Sequence, residues 1–424
     1  MPRLYSVLFA LCLPLVFLHA DYQPSFTVSL GGSDATLFLS DVAVLAIGTV
    51  GAVAGVRLGF APLRAGRAIW ISSAVFLAFV LAGTAVGAAT TDGYPLADNL
   101  LTTAKLTEYA LLALAAPLAI RGAQELTPLL VVLTAWSTAA TAGALLQFLG
   151  VLNEFEGRRP GQREPSFLGI HDLAALSGAA LSVGLLALAL GERKRLGAVA
   201  GIVGGLGVIL SGATAAVVGV AAAGAAAWLL GRRRALAIAA AVSLVAAGTI
   251  AIRALDTRPL LDALGIERPH DVATDPEASW QQRAALAYIG GRIFLDHPLM
   301  GVGWLASSEP EHYEPYLDDA RARFPDLPER ALPSRQHAWG VQNAYVQAAA
   351  DLGVFGLLAW LAFLLVPLAV AWRTGASAGV PILWLLVSMG IWIGLGLVAG
   401  IPLVGLTWLS IGLAAASASW REPV

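Results

Sequence analysis

Apolar stretches long enough to cross a bilayer recur along this chain from end to end. That recurrence limits the fold before any motif is considered. About 20 apolar residues of helix span the hydrocarbon core, and a backbone in lipid must satisfy its own hydrogen bonds. The stretches fall near residues 1–20, 35–55, 68–90, 100–120, 127–149, 170–190, 196–212, 213–230, 235–252, 345–371, 379–398 and 402–418. An all-α polytopic transmembrane helical bundle of about twelve spans is expected, with residues 1–424 as a single integral membrane domain. Charged residues make up 13% of the chain, too few to clothe a soluble protein of this length. The first stretch also fits a cleavable signal peptide ending at Ala20, but an uncleaved span is preferred because so many spans follow it.

Orientation follows from Lys and Arg in the short connections, which mark the cytoplasmic side. One alternate set holds Arg57, Arg64 and Arg67, then Arg121, then Arg193, Lys194 and Arg195, then Arg232, Arg233 and Arg234, then Arg373. Arg3 and Arg421 fall with them, so both termini are expected in the cytoplasm. The opposite connections DYQPSFTVSLGGSDATL and TTDGYPLADN carry no basic residue. Two segments are then expected outside: LNEFEGRRPGQREPSFLG, with Arg158, Arg159 and Arg163, and a large loop at 253–342. The alanine- and glycine-rich runs over 213–247 read as close helix-packing surfaces.

Within the loop one helix is expected, with Asp275 as N-cap and Pro276 at its first position. Trp280, Ala284, Ala287, Tyr288, Gly291 and Leu295 recur at helical spacing, and His297 and Pro298 end the pattern. Arg283 lies at the edge of that stripe, aimed sideways into any cavity beneath, while Arg292 points away. Residues 309–332 are polar and proline-spotted and read as an irregular excursion.

Three basic groups gather at or near the outer face: Lys105 inside the fourth span, the cluster of Arg158, Arg159 and Arg163, and Arg283. Arginine grips phosphate oxygens in a fork, and a charge inside a span faces the bundle interior or a water-filled cavity. Together they describe an outward-facing anion site, and a lipid pyrophosphate is the membrane-embedded anion that fits. The alternatives are that Lys105 pairs with Glu108 and that the arginines meet lipid headgroups. His171 and Asp172 could orient a proton acceptor or start a helix. His337 could take a proton from a hydroxyl or stand solvated beside Trp339. The turn from Gly301 to Trp304 lacks the lysine and serine of a P-loop. Cys12 is the only cysteine, and neither a metal site, a cofactor nor nucleic-acid binding is indicated.

Four segments carry a resemblance: REPSFLGIHDLAALSG, ILSGATAAVVG, SWQQRAALAYIGGRIFLDHPLMGVGW and QNAYVQAAADLGVFG. In order, spacing and loop size they resemble the O-antigen ligase and polymerase superfamily of bacterial envelope glycosyltransferases, over roughly residues 100–372. DHPLMGVG and NAYVQAAADLGVFG are the most specific pieces. The resemblance implies a multi-pass protein of the bacterial inner membrane with a periplasmic loop. It implies a glycan on polyprenyl diphosphate as donor and a hydroxyl acceptor on a glycolipid, glycan or protein. Arg163 and Arg283 then hold the diphosphate, Lys105 lends charge, and Gln342 and Asn343 position the acceptor. The family carries a histidine where Gln342 stands, which leaves His337 as the proton acceptor, or else a different acceptor or an inactive member. A serine-arginine pair of the family is also missing, with Gly212, Ala213 and Thr214 in its place. The rival readings are a polytopic transporter or lipid-linked glycan flippase, and a non-catalytic polysaccharide assembly protein.

Overall fold

The computed structural model describes residues 2–30, 33–152, 163–231, 242–249, 276–397 and 401–420. Its long helices are α1 (Pro2–Val16), α2 (Leu39–Leu58), α3 (Arg67–Thr90), α4 (Leu96–Glu108), α5 (Ala110–Ala119), α6 (Leu126–Phe148), α7 (Ile170–Leu190), α8 (Lys194–Ser211), α9 (Thr214–Gly231), α10 (Pro276–Asp296), α11 (Ala344–Thr374), α12 (Gly379–Ile391) and α13 (Ile401–Ser419). Among the described residues seven helical stretches are long and apolar enough to cross a membrane, one of them holding both α11 and α12, and shorter apolar helices lie at Arg3–Val16 and Leu403–Ser419. The chain is an all-α, multi-pass membrane bundle. Most of the expected ninth span, 235–252, lies outside the described residues. The expected fourth span is two pieces, because the LADNLLTTAKLTE run of α4 is too polar for lipid and only α5 is apolar throughout. One connection between spans forms an antiparallel hairpin, Ser25–Leu30 against Ser33–Phe38, with Ser25 opposite Phe38.

α7 is the axis of the bundle, with 83% of its apolar window buried. Small residues make that burial possible, since helices in lipid associate through close backbone approach. A Cβ placed on Gly184 would lie 2.5 Å from the Gly201 Cα of α8, and one on Gly219 of α9 would lie 2.6 Å from the Val387 carbonyl oxygen of α12. The part of the 213–247 run that forms α9 is therefore a packing face, while residues 232–241 lie outside the described residues.

At the pole away from the loop two arginines of the short connections meet backbone carbonyls, one of them at the end of α2. Arg121 donates from Nη1 to the Leu58 carbonyl at 2.7 Å, and Arg193 donates from Nη2 to that of Ala123 at 2.9 Å. Carbonyls at a helix C-terminus lack intrahelical partners and carry partial negative charge, so guanidinium groups suit them.

At the other pole the loop folds on a core of its own, where Ile289, Ile293, Val302, Tyr313 and Leu332 are buried. The buried face of α10 is Ala285, Leu286, Ile289, Gly290 and Ile293. The stripe expected from the sequence is thus rotated, and its member Leu295 is 67% exposed, because α10 packs against loop residues as well as α11. The excursion over 309–332 contains short helices at Pro310–Tyr313 and Leu317–Arg323.

One joint ties loop to bundle. α11 breaks at Gly353, whose φ of 69° and ψ of −169° belong to glycine, and residues 298–303 fill the break. The Val302 and Gly303 N–H groups donate to the carbonyls of Ala350 and Asp351 at 3.0 and 2.9 Å, and the Val354 N–H donates to Pro298 at 2.8 Å. The two most specific sequence motifs are the two faces of this joint. Beyond it, the Trp304 N–H donates to the Gly83 carbonyl of α3 at 3.0 Å, and the Tyr94 hydroxyl donates to the Trp304 carbonyl at 2.6 Å.

Candidate anion site at the loop pole

The segment entering α7 is drawn into the protein. Its Glu164 N–H donates to the Leu210 carbonyl at the end of α8 at 2.9 Å, and its Ser166 N–H donates to Oε1 of Gln147 on α6 at 2.6 Å. Arg163 enters with it and is 7% exposed. A guanidinium so deep is costly unless anionic or hydrogen-bonding groups meet it.

Arg283 reaches the start of α7 from α10. Its Nη2 lies 3.2 Å from Nε2 of His171, at the second position of α7. Guanidinium can only donate, so Nε2 accepts and the proton of a neutral imidazole resides on Nδ1. Behind Arg283 stands Gly394, where a Cβ would lie 3.1 Å from Nη1. The site therefore joins the loop helix, the start of α7 and the turn after α12.

The described hydrogen bond of Asp172 goes to another helix rather than to its neighbour. Its Oδ1 accepts from the Leu403 N–H of α13 at 3.1 Å, so a carboxylate at the start of one helix stabilises the N-terminus of another.

The other expected residues disperse. Lys105 bonds Asp41 on α2, whose Oδ2 also accepts from the Phe38 N–H at 2.7 Å, and its ammonium lies 5.2 Å from the Phe38 ring centroid. Its hydrogen-bond partner is thus Asp41, with Glu108 near enough to feel its charge, and none of its described contacts reaches Arg283 or His171. Arg158 and Arg159 lie outside the described residues. His337 occupies an exposed turn, exchanging backbone hydrogen bonds with Ser334 at 3.0 Å, and its ring stacks on Trp339 with centroids 6.1 Å apart. No described contact joins it to Arg283, His171 or Arg163. Asn343 is the N-cap of α11, its Oδ1 accepting from the Tyr345 and Val346 N–H groups at 3.1 Å. Gln342 beside it is half-buried. Among the described residues no group of three or more His, Cys, Asp or Glu could hold a metal ion.

Two residues near the site escape a sequence reading. Asp351 and Gln347, one turn apart on α11, are buried and bonded to each other at 3.1 Å. Their only signal was polarity inside an apolar run.

Comparison with curated proteins gives no match. Residues 198–361 match the family model described as O-antigen ligase, a stretch that contains most of α8, all of α9, the loop with Arg283 and both faces of the joint, though not Arg163 or His171. Over that stretch, less than half of the chain, it is similar to the O-antigen ligase family.

Proposed function

We propose that the chain transfers a glycan from a polyprenyl diphosphate carrier to a hydroxyl acceptor at the periplasmic face of the bacterial inner membrane, with both termini in the cytoplasm. The observation that carries this reading is the pairing of Arg283 with His171 at the loop pole, and the burial of Arg163 on the segment that leads into the same helix supports it. In the free protein His171 occupies a donor of Arg283. A diphosphate oxygen competes for that donor, because a charge-assisted guanidinium bond to phosphate is stronger than one to a neutral ring. Binding of the donor thereby frees the Nε2 lone pair of His171. The acceptor oxygen then attacks the anomeric carbon, its proton passes to Nε2, and the carbon–oxygen bond to the diphosphate breaks. The electron pair leaves on the diphosphate, where Arg283 and Arg163 neutralise it. The sugar–diphosphate bond supplies the driving force, and the acceptor is a glycolipid, a glycan or a protein.

This assignment moves the proton acceptor from His337 to His171. An exposed turn stacked on Trp339 keeps His337 in water, whereas His171 contacts the proposed diphosphate ligand. Gln342 in place of the family histidine favours a second reading, a non-catalytic assembly protein that retains the scaffold. Purified protein in lipid nanodiscs, given a polyprenyl-diphosphate glycan and an acceptor, separates the two. Transfer is expected, with Arg283→Ala reducing it on the order of a hundredfold at unchanged folded protein. Transfer unaffected by Arg283→Ala overturns the site, and its absence from the unaltered protein favours the scaffold.

A further inference from the structure

Asp351 is a fully buried carboxylate that accepts from three N–H donors. Oδ1 accepts from the Ser307 N–H at 3.1 Å, and Oδ2 accepts from the Leu305 N–H and from Nε2 of Gln347, both at 3.1 Å. Gln347 passes the connection on, its Oε1 accepting from the Leu397 N–H at 2.6 Å. Two side chains on one turn of α11 therefore hold loop residues 305–307 on one side and the turn after α12 on the other. That turn carries Gly394, the seat of Arg283. The loop side carries α10 and Arg283 itself, through the core that Ile289 and Ile293 share with Val302, Ala306 and Ala350.

An amide could not do what this carboxylate does. Asn has one accepting oxygen, while a carboxylate accepts at both, so only the charged group meets three N–H donors from two segments. Burying a carboxylate is unfavourable unless such bonds are complete, which makes its retention here informative.

We propose that Asp351 and Gln347 are positioning residues that fix Arg283 against the anion site by locking the loop and the turn after α12 to a common point on α11. The proposal rests on the reading of Arg283 given above. Catalytic groups displaced by about 1 Å lose on the order of a hundredfold in rate. The test measures glycan transfer in nanodiscs by unaltered protein, Arg283→Ala, Asp351→Asn and Gln347→Met, the last keeping side-chain length without its hydrogen bonds. Gln347→Met is expected to lower kcat by roughly tenfold or more with KM for the acceptor unchanged. Asp351→Asn is expected to do the same and to speed amide exchange at Leu305 and Ser307. Wild-type kcat in Gln347→Met beside a disabled Arg283→Ala overturns the positioning role alone. Wild-type kcat in Arg283→Ala overturns the site reading and this proposal with it. Exchange in the unaltered protein serves if a variant does not fold. Leu305, Ser307 and Leu397 amides are expected to open as one unit, and opening of Leu397 more than tenfold faster than the other two overturns the coupling.

Discussion

A Cβ on residue 394 would sit 3.1 Å from Nη1 of Arg283 and 2.8 Å from the Ala215 Cβ, so glycine there leaves the guanidinium its place. Gly394→Ala is expected to displace Arg283 and lower donor transfer roughly tenfold, read from kcat/KM at matched folded protein. Unaltered kcat/KM would mean that Arg283 does not rest there during reaction. The histidines separate equally sharply. His171→Gln is expected to reduce kcat on the order of a hundredfold and flatten its pH dependence, whereas His337→Ala stays within about twofold. The reverse order would return the proton-acceptor role to His337. At this scale the sequence disclosed residue types better than partners. Arg283 was legible as an arginine at the edge of an apolar helix face. Its contact with His171 bridges 112 positions and was not. Lys105 was legible as a charge in need of a partner, but local spacing pointed to Glu108 when the bundle supplied Asp41, 64 positions away.

The joint at Gly353 is the informative element. Its backbone sits where side chains are strained, and a Cβ there would lie 2.2 Å from the Leu299 carbonyl oxygen. Gly353→Ala is therefore expected to cost at least ~1–3 kcal/mol from backbone strain, more with the clash, and to open the joint. Proteolysis of the loop in nanodiscs should accelerate while the spans stay intact; an unchanged cleavage rate would show that the joint tolerates a side chain. Helix existence was largely readable because lipid demands long apolar runs, and α10 keeps its expected start at Pro276 and its stop before His297. Its buried face was misjudged because period alone does not say which neighbour a helix meets. The hairpin after α1 was missed since a polar connection between spans is not required to be regular. That the two motifs interlock could not be read from either alone: one supplies a turn and the other a broken helix.

Across the whole molecule, charge placement was the most legible property and docking of the loop the least. At the pole opposite the loop Arg121 donates to the Leu58 carbonyl at the end of α2, and Arg193 donates to that of Ala123 before α6. The docking depends on contacts such as that of His312, whose Nε2 lies 2.8 Å from Oγ1 of Thr91 just beyond α3, while Oε2 of Glu311 accepts from the Asp92 N–H at 3.2 Å. Burial lowers the His312 pKa from the ordinary imidazole value, nearby His297 adds to that, and Glu311 opposes it. The undocked imidazole therefore takes up a proton more readily than the docked one. Docking is at full strength above the ordinary value of about 6.5 and weakens as pH falls below it through the lowered value. Amide exchange at residues 310–313 should accelerate between about pH 7 and pH 5, and His312→Gln, which cannot be protonated, should abolish that dependence. An equally steep dependence in His312→Gln would move the acid response to another group of the loop.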